Sequence, residues 1–123
     1  MKPKRNLQSF LSGFVDAAKG LAESIKTQFN VRVHLIITLL TIVMGYYFSL
    51  SGLEWCIIIL AIAIVLIAEL INTSIEYLSD FVSPEFNFVI RKVKDISAAA
   101  VFLAALCSIV IGIIVFLPKM ITL

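Results

Sequence analysis

Three long apolar runs organise the chain, at roughly residues 33–53, 55–81 and 96–118. The last is free of charge from Ile96 to Pro118, which as a helix measures about 34 Å and is enough to span a bilayer. The first carries only His34, at its edge, and the second is uncharged from Trp55 until Glu69. Ahead of them, residues 1–8 read as a basic arm. Between Ser9 and Phe29 the apolar residues Phe10, Leu11, Phe14, Val15, Ala18, Leu21, Ala22, Ile25 and Phe29 share one helical face, while Asp16, Lys19, Glu23, Lys26 and Thr27 take the other. That pattern suits a helix lying in the headgroup layer rather than crossing it. The expected architecture is an all-α integral membrane protein: a basic arm and N-terminal amphipathic surface helix over 1–29, then three transmembrane helices, forming a single membrane domain over 1–123. Three thin helices do not enclose a site by themselves, so a homo-oligomer is expected to complete it.

The second run changes character without a turn signal. From Ala68 to Asp80 it gains Glu69, Asn72, Glu76 and Asp80 while keeping Leu70, Ile71, Ile75 and Leu78. At 100° per residue the four polar positions fall within an arc of roughly 80°. A carboxylate at membrane depth is costly unless it faces a partner, a metal or water, so this stripe is the candidate functional site. Glu69 lies about 21 Å along the helix from Trp55, and Asp80 about 16 Å further, so the stripe opens toward one membrane surface.

Composition agrees with this picture and adds an orientation. The 123 residues are 61% hydrophobic and 15% charged, with a mean hydropathy of +1.07, outside the range of water-soluble globular domains. Lys2, Lys4, Arg5, Lys19, Lys26 and Arg32 precede the first span, and Arg91, Lys92 and Lys94 separate the second from the third. The 49–54 turn holds only Glu54 and the C-terminal tail only Lys119. The positive-inside rule then puts the N-terminus and the 82–95 loop in the cytoplasm and the C-terminus outside, in a multi-pass protein of the cell membrane. Lys2 to Arg5 resemble the start of a signal peptide, but an amphipathic segment follows instead of an apolar core, so the first span is expected in the mature protein. Tyr46, Tyr47 and Trp55 read as outer interfacial anchors, and Pro84 as the end of the second span. Cys56 and Cys107 have no metal or redox spacing and read as small packing residues. His34 reads as a snorkelling or hydrogen-bonded interfacial residue.

Carboxylates near a membrane surface, one amide and a basic cluster across a short loop are the parts that phosphoryl transfer uses. A metal bridges phosphates, a cation neutralises developing charge and a carboxylate orients the attacking hydroxyl. Carboxylates suit magnesium, which prefers oxygen donors and keeps several waters. The common phosphate devices, a P-loop, GxGxxG or the protein-kinase HRD and DFG sets, are absent from the sequence. A small proton-coupled transporter would also use a buried glutamate, but it would not account for Glu76, Asp80, Lys94 and Asp95 at one end. A third reading is a catalytically weakened interaction subunit.

The segment Glu69-Leu-Ile-Asn72-Thr-Ser-Ile-Glu76, with Asp80 and then Lys94-Asp95 before an alanine-rich run, resembles the prokaryotic diacylglycerol kinase and undecaprenol kinase family. The likeness extends over nearly the whole chain. It implies a homotrimeric lipid kinase that uses ATP and magnesium, with sites shared between subunits. It implies Glu69 as catalytic base toward the lipid hydroxyl, with Ala98 also on the lipid side. Glu76 is implied as metal ligand with Asn72 beside it, and Asp80, Lys94 and Asp95 as the nucleotide and phosphate site. Glu85 and Phe86 are implied at the adenosine end. Gln28, ahead of Asn30, stands where the family carries a second metal-binding glutamate; its amide oxygen can coordinate but brings no charge. Ser74 and Ser79 replace an alanine and a valine, and the loop 83–88 differs from commoner members. Glu54-Trp55 and the ending Phe116-Leu117-Pro118-Lys119 resemble the Gram-positive members, which favours undecaprenol over diacylglycerol.

Overall fold

The computed structural model describes residues 4–123, so Lys2 of the basic arm lies outside the described residues. The described residues form four helices, α1 (Leu7–Thr27), α2 (Phe29–Tyr47), α3 (Gly52–Val82) and α4 (Phe88–Ile121). The last three are long and apolar enough to cross a membrane.

The helix boundaries differ from the sequence pattern in several places: α3 starts at Gly52 rather than 55, α4 runs to Ile121 rather than 118, and three larger differences each have a local cause. Between α1 and α2 a single residue, Gln28, leaves helical geometry (φ −109°, ψ 113°). Its N–H still donates to Ser24 O at 2.9 Å and its carbonyl accepts from Arg32 N–H at 3.3 Å, so α2 starts at Phe29 and not at 33. At the other end α2 stops at Tyr47 rather than running to 53. Ser49 takes the left-handed conformation (φ 53°), and the N–H groups of Ser49 and Leu50 turn back onto Tyr46 O and Gly45 O, both at 3.1 Å. This is a Schellman stop built on serine where glycine is usual, so the sequence gives no glycine signal for it. The third difference concerns the expected 82–95 loop. Only Ser83 to Asn87 is non-helical, because Asn87 Oδ1 caps α4 by accepting from the N–H groups of Val89 and Ile90. Arg91, Lys92 and Lys94 are therefore in the first turns of α4, on a rigid element.

Ser51 begins α3 with a capping box: its hydroxyl accepts from Glu54 N–H and the Glu54 carboxylate accepts from Ser51 N–H. At the far end Pro84 disfavours helical backbone at the residue before it, and α3 caps at Ser83. The 31 residues of α3 make a rod of about 46 Å, longer than the ~30 Å hydrocarbon layer, so one end must emerge from it.

Packing runs mainly between α3 and α4, with α2 against α3 and α1 touching both α2 and α3. Small residues let the backbones approach, Ala61 facing α4 and Ala104 buried on it, and the Ser108 hydroxyl donates across to Ala61 O at 3.1 Å. Beside the 48–51 turn a core of Leu50, Ile58, Val115 and Phe116 gathers Phe48 and Trp55. Lys119 Nζ pairs with Glu54 Oε2 there at 3.1 Å. The rest of the apolar surface, including Leu39, Leu60, Phe102 and Ile114, is exposed on the single chain. So are Cys56 and Cys107, which do not pack inside it as expected.

Gly45 is held by its neighbour. A Cβ there would lie 2.5 Å from the Trp55 ring. Gly45→Val is expected to lower the thermal midpoint in detergent, since overpacking costs about 1–3 kcal/mol and valine gains only a few tenths over glycine in a helix. A midpoint equal to the parent's would show that Trp55 moves aside freely.

Candidate functional site

The buried face of α3 is one continuous stripe that changes chemistry part-way. Ile58, Ala61 and Val65 pack as apolar residues, and the same stripe continues through Glu69 and Asn72. Along it, exposure rises toward one end: Glu69 is 2% exposed and Asn72 7%, Glu76 is half-buried and Asp80 exposed. The four polar positions therefore form a graded path from the packed interior to the end of the bundle where α3 meets α4.

Each level of that path has its own partner. Glu69 Oε1 lies 3.1 Å from His34 Nε2 on α2. Asn72 donates from Nδ2 to Glu76 Oε1 at 3.4 Å, a long bond, while its Oδ1 is buried with no hydrogen-bond partner among the described residues. Buried polar atoms in native proteins are nearly always satisfied, so this oxygen is an available acceptor or ligand. At the end of the path Lys94 Nζ donates to Asp80 Oδ1 at 2.8 Å, joining α4 to α3. An exposed pair of this kind adds little stability; its effect is to hold an ammonium group beside the stripe.

Other expected residues lie apart from this line. Asp95 is exposed and accepts from Arg91 Nε at 3.2 Å, one turn back on α4, and does not join the Asp80–Lys94 pair. Glu85 and Phe86 are exposed in the α3–α4 turn, where Ser83 Oγ donates to Glu85 O at 2.9 Å. Ala98 is exposed, and Ser97 takes the buried position next to it. Gln28, at the α1–α2 break, donates from Nε2 to Thr27 Oγ1 at 3.4 Å. Thr27 Oγ1 in turn is 2.8 Å from the Tyr77 hydroxyl, so the break is tied to α3 one residue beyond Glu76. Ser74 donates to Leu70 O on its own helix, and Ser79 is buried. Among the described residues no three His, Cys, Asp or Glu side chains converge as a metal cage.

Two participants were not legible in the sequence, His34 as the partner of Glu69 and Tyr77 as the tie to Thr27. A depth count gives a signal for the first. His34 lies about 20 Å from the Tyr47 end of α2 and Glu69 about 26 Å from the Gly52 end of α3, comparable levels in a hairpin.

The profile of prokaryotic diacylglycerol kinases matches residues 15–116. The chain belongs to that family. A protein named undecaprenol kinase from Bacillus subtilis (strain 168) is 35% identical over 120 residues, which is 97% of this chain and 98% of that one. A diacylglycerol kinase from Synechocystis sp. is 28% identical over 116 residues, 94% of this chain and 66% of that one. A diacylglycerol kinase from Escherichia coli (strain K12) is 24% identical over 92 residues, 75% of each chain. As a member of this family the chain is a lipid kinase, and its three apolar helices make it a membrane protein.

Proposed function

We propose that the protein transfers the γ-phosphate of ATP to the hydroxyl of a membrane lipid alcohol, undecaprenol in preference to diacylglycerol, at the cytoplasmic face of the cell membrane. The observation that carries this reading is the graded stripe. It joins a carboxylate enclosed at lipid depth to an amide, a second carboxylate and an ammonium group that lie progressively closer to water. The preference for undecaprenol is supported by the near full-length match to the protein named for that activity.

Within this reading Glu69 takes the proton of the lipid hydroxyl as its oxygen attacks phosphorus. A base buried beside apolar side chains can act only on a hydroxyl that is itself at lipid depth, which selects an alcohol in the membrane over water. Glu76 and the unpartnered Asn72 oxygen are hard donors that fit Mg2+, an ion commonly held by one or two carboxylates plus phosphates and water. An ion held by these residues would supply positive charge to offset that of the phosphate oxygens. Gln28 is the third ligand in this reading, and its amide leaves the site one negative charge short. Lys94, steered by Asp80, neutralises charge on the nucleotide phosphates, and Asp95, Glu85 and Phe86 serve the nucleotide end. Ala98 borders the lipid.

In this reading the active unit is a homotrimer, as the family resemblance implies, and the apolar surface exposed on the single chain is shared between lipid and neighbouring copies. The helix α1 lies amphipathically on the cytoplasmic surface, with Phe10 and Phe14 toward acyl chains. The N-terminus is cytoplasmic and the C-terminus outside in this reading, which the lysine and arginine distribution supports.

Labelled ATP, magnesium and a panel of polyprenols and diacylglycerols in detergent test the reaction. A phosphorylated polyprenol is expected as the main product, and absence of product with every alcohol would remove the kinase reading. Gln28→Glu is expected to lower the magnesium concentration for half-maximal rate, because it restores a charged ligand. An unchanged magnesium titration would place residue 28 away from the metal.

A further inference from the structure

We infer that His34 is a positioning residue for the phosphoryl-transfer step: it holds one oxygen of the Glu69 carboxylate and so leaves the other aimed at the lipid hydroxyl. The inference rests on the proposed role of Glu69 and adds to it a residue from a different helix.

Three observations carry it. His34 Nε2 is 3.1 Å from Glu69 Oε1, with the imidazole side chain 20% exposed and the carboxylate 3%. A base that takes a proton offers only acceptors beforehand, so in this role the ring proton is on Nε2 and His34 is the donor. Second, the other polar groups nearby are turned away from the carboxylate. Thr38 Oγ1 donates to the His34 carbonyl at 2.8 Å, and Thr73 Oγ1 donates to the Glu69 carbonyl at 2.9 Å. Among the described residues, His34 is the side chain that meets this carboxylate. Third, His34 lines a cavity of about 370 Å³ between α2, α3 and α4 whose other walls, such as Ile37, Val65 and Ile109, are mostly apolar. The imidazole thus sits at the junction of apolar space and the polar stripe.

The chemical consequence follows from the two oxygens of Glu69. A carboxylate free to rotate presents its basic lone pairs in many directions, and misplacing a reacting group by about 1 Å can cost on the order of a hundredfold in rate. Pinning Oε1 through Nε2–H leaves Oε2 as the atom that takes the proton. As the lipid oxygen bonds to phosphorus, its O–H bond breaks, the proton goes to Oε2, and the phosphorus–oxygen bond to ADP breaks with its electron pair leaving on ADP. His34 neither gains nor loses a proton in this step.

The test compares the parent, Glu69→Gln, His34→Leu and His34→Gln in lipid nanodiscs, measuring kcat, KM for the lipid, ATP binding and thermal midpoint. His34→Leu removes the donor at similar bulk, whereas glutamine returns an N–H donor at nearly the same reach. Expected is a fall in kcat of about 10- to 100-fold for His34→Leu, with lipid KM and ATP binding within about twofold of the parent. His34→Gln is expected to regain most of kcat, a rescue that a merely space-filling role would not produce. A parent-like kcat in His34→Leu would overturn the inference, as would an effect confined to KM, or a His34→Gln variant as slow as His34→Leu at a parent-like thermal midpoint. An active parent with an inactive Glu69→Gln and a parent-like His34→Leu would sink the role of His34 alone. Inactivity of the parent toward every lipid alcohol would overturn both readings together.

Discussion

Glu69→Gln reduces lipid phosphorylation by about 10²–10⁴-fold, the usual contribution of a general base, while ATP binding stays measurable. Glutamine preserves the shape of the side chain and keeps an Oε1 acceptor for His34 Nε2, which lies 3.1 Å from Glu69 Oε1 in the parent. The fold is therefore spared while the capacity to accept a proton is lost. Alanine would be a poorer probe, because it would open a hole at a position only 2% exposed and strip His34 of its partner. The measurement is single-turnover phosphate transfer to a polyprenol beside equilibrium binding of a nucleotide analogue. Near-normal turnover would mean that the lipid hydroxyl loses its proton elsewhere.

The second large effect falls on Glu76. Glu76→Gln removes the stripe's half-buried carboxylate and, with Gln28 already neutral, leaves two amides where charge should face a divalent cation. The rate at limiting magnesium is expected to fall by about 10²-fold or more, since a metal at a phosphoryl group supplies several kcal/mol of charge stabilisation. Raising magnesium should recover part of the loss, which separates a ligand from a base: Glu69→Gln should show no such recovery. Combining Glu76→Gln with Gln28→Glu is expected to recover part of the magnesium affinity. A Glu76→Gln variant with the parent's magnesium titration would refute the assignment of this carboxylate to the metal.

The legible parts of the protein were those governed by a period or a run length. Three apolar runs became α2, α3 and α4, because a lipid-soluble segment has no alternative to satisfying its backbone internally. The polar face at 69, 72, 76 and 80 was legible because a helix of fixed pitch must place them together. The family was legible for a different reason, a chain-long likeness centred on Glu69 to Glu76. Less legible were the ends. The serine that closes α2 at a left-handed position and the lone extended residue at Gln28 carry no glycine or proline to announce them. Asn87 as a cap turned an expected basic loop into the start of α4, which places Lys94 firmly enough to meet Asp80.

What the sequence determined by itself was membrane residence, the number of long apolar helices and the existence of an acidic face on the middle one. Each depends on contacts within a segment or on its exchange between water and lipid. What only the tertiary structure decided was how that face is used: Glu69 enclosed against His34, Asn72 with an unanswered oxygen, Asp80 exposed and joined to Lys94. Those facts depend on how α2 and α4 cross α3, and helix crossing is set by close contacts between small residues such as Ala61, Ala104 and Ser108, whose spacing along α4 does not say which part of α3 they meet.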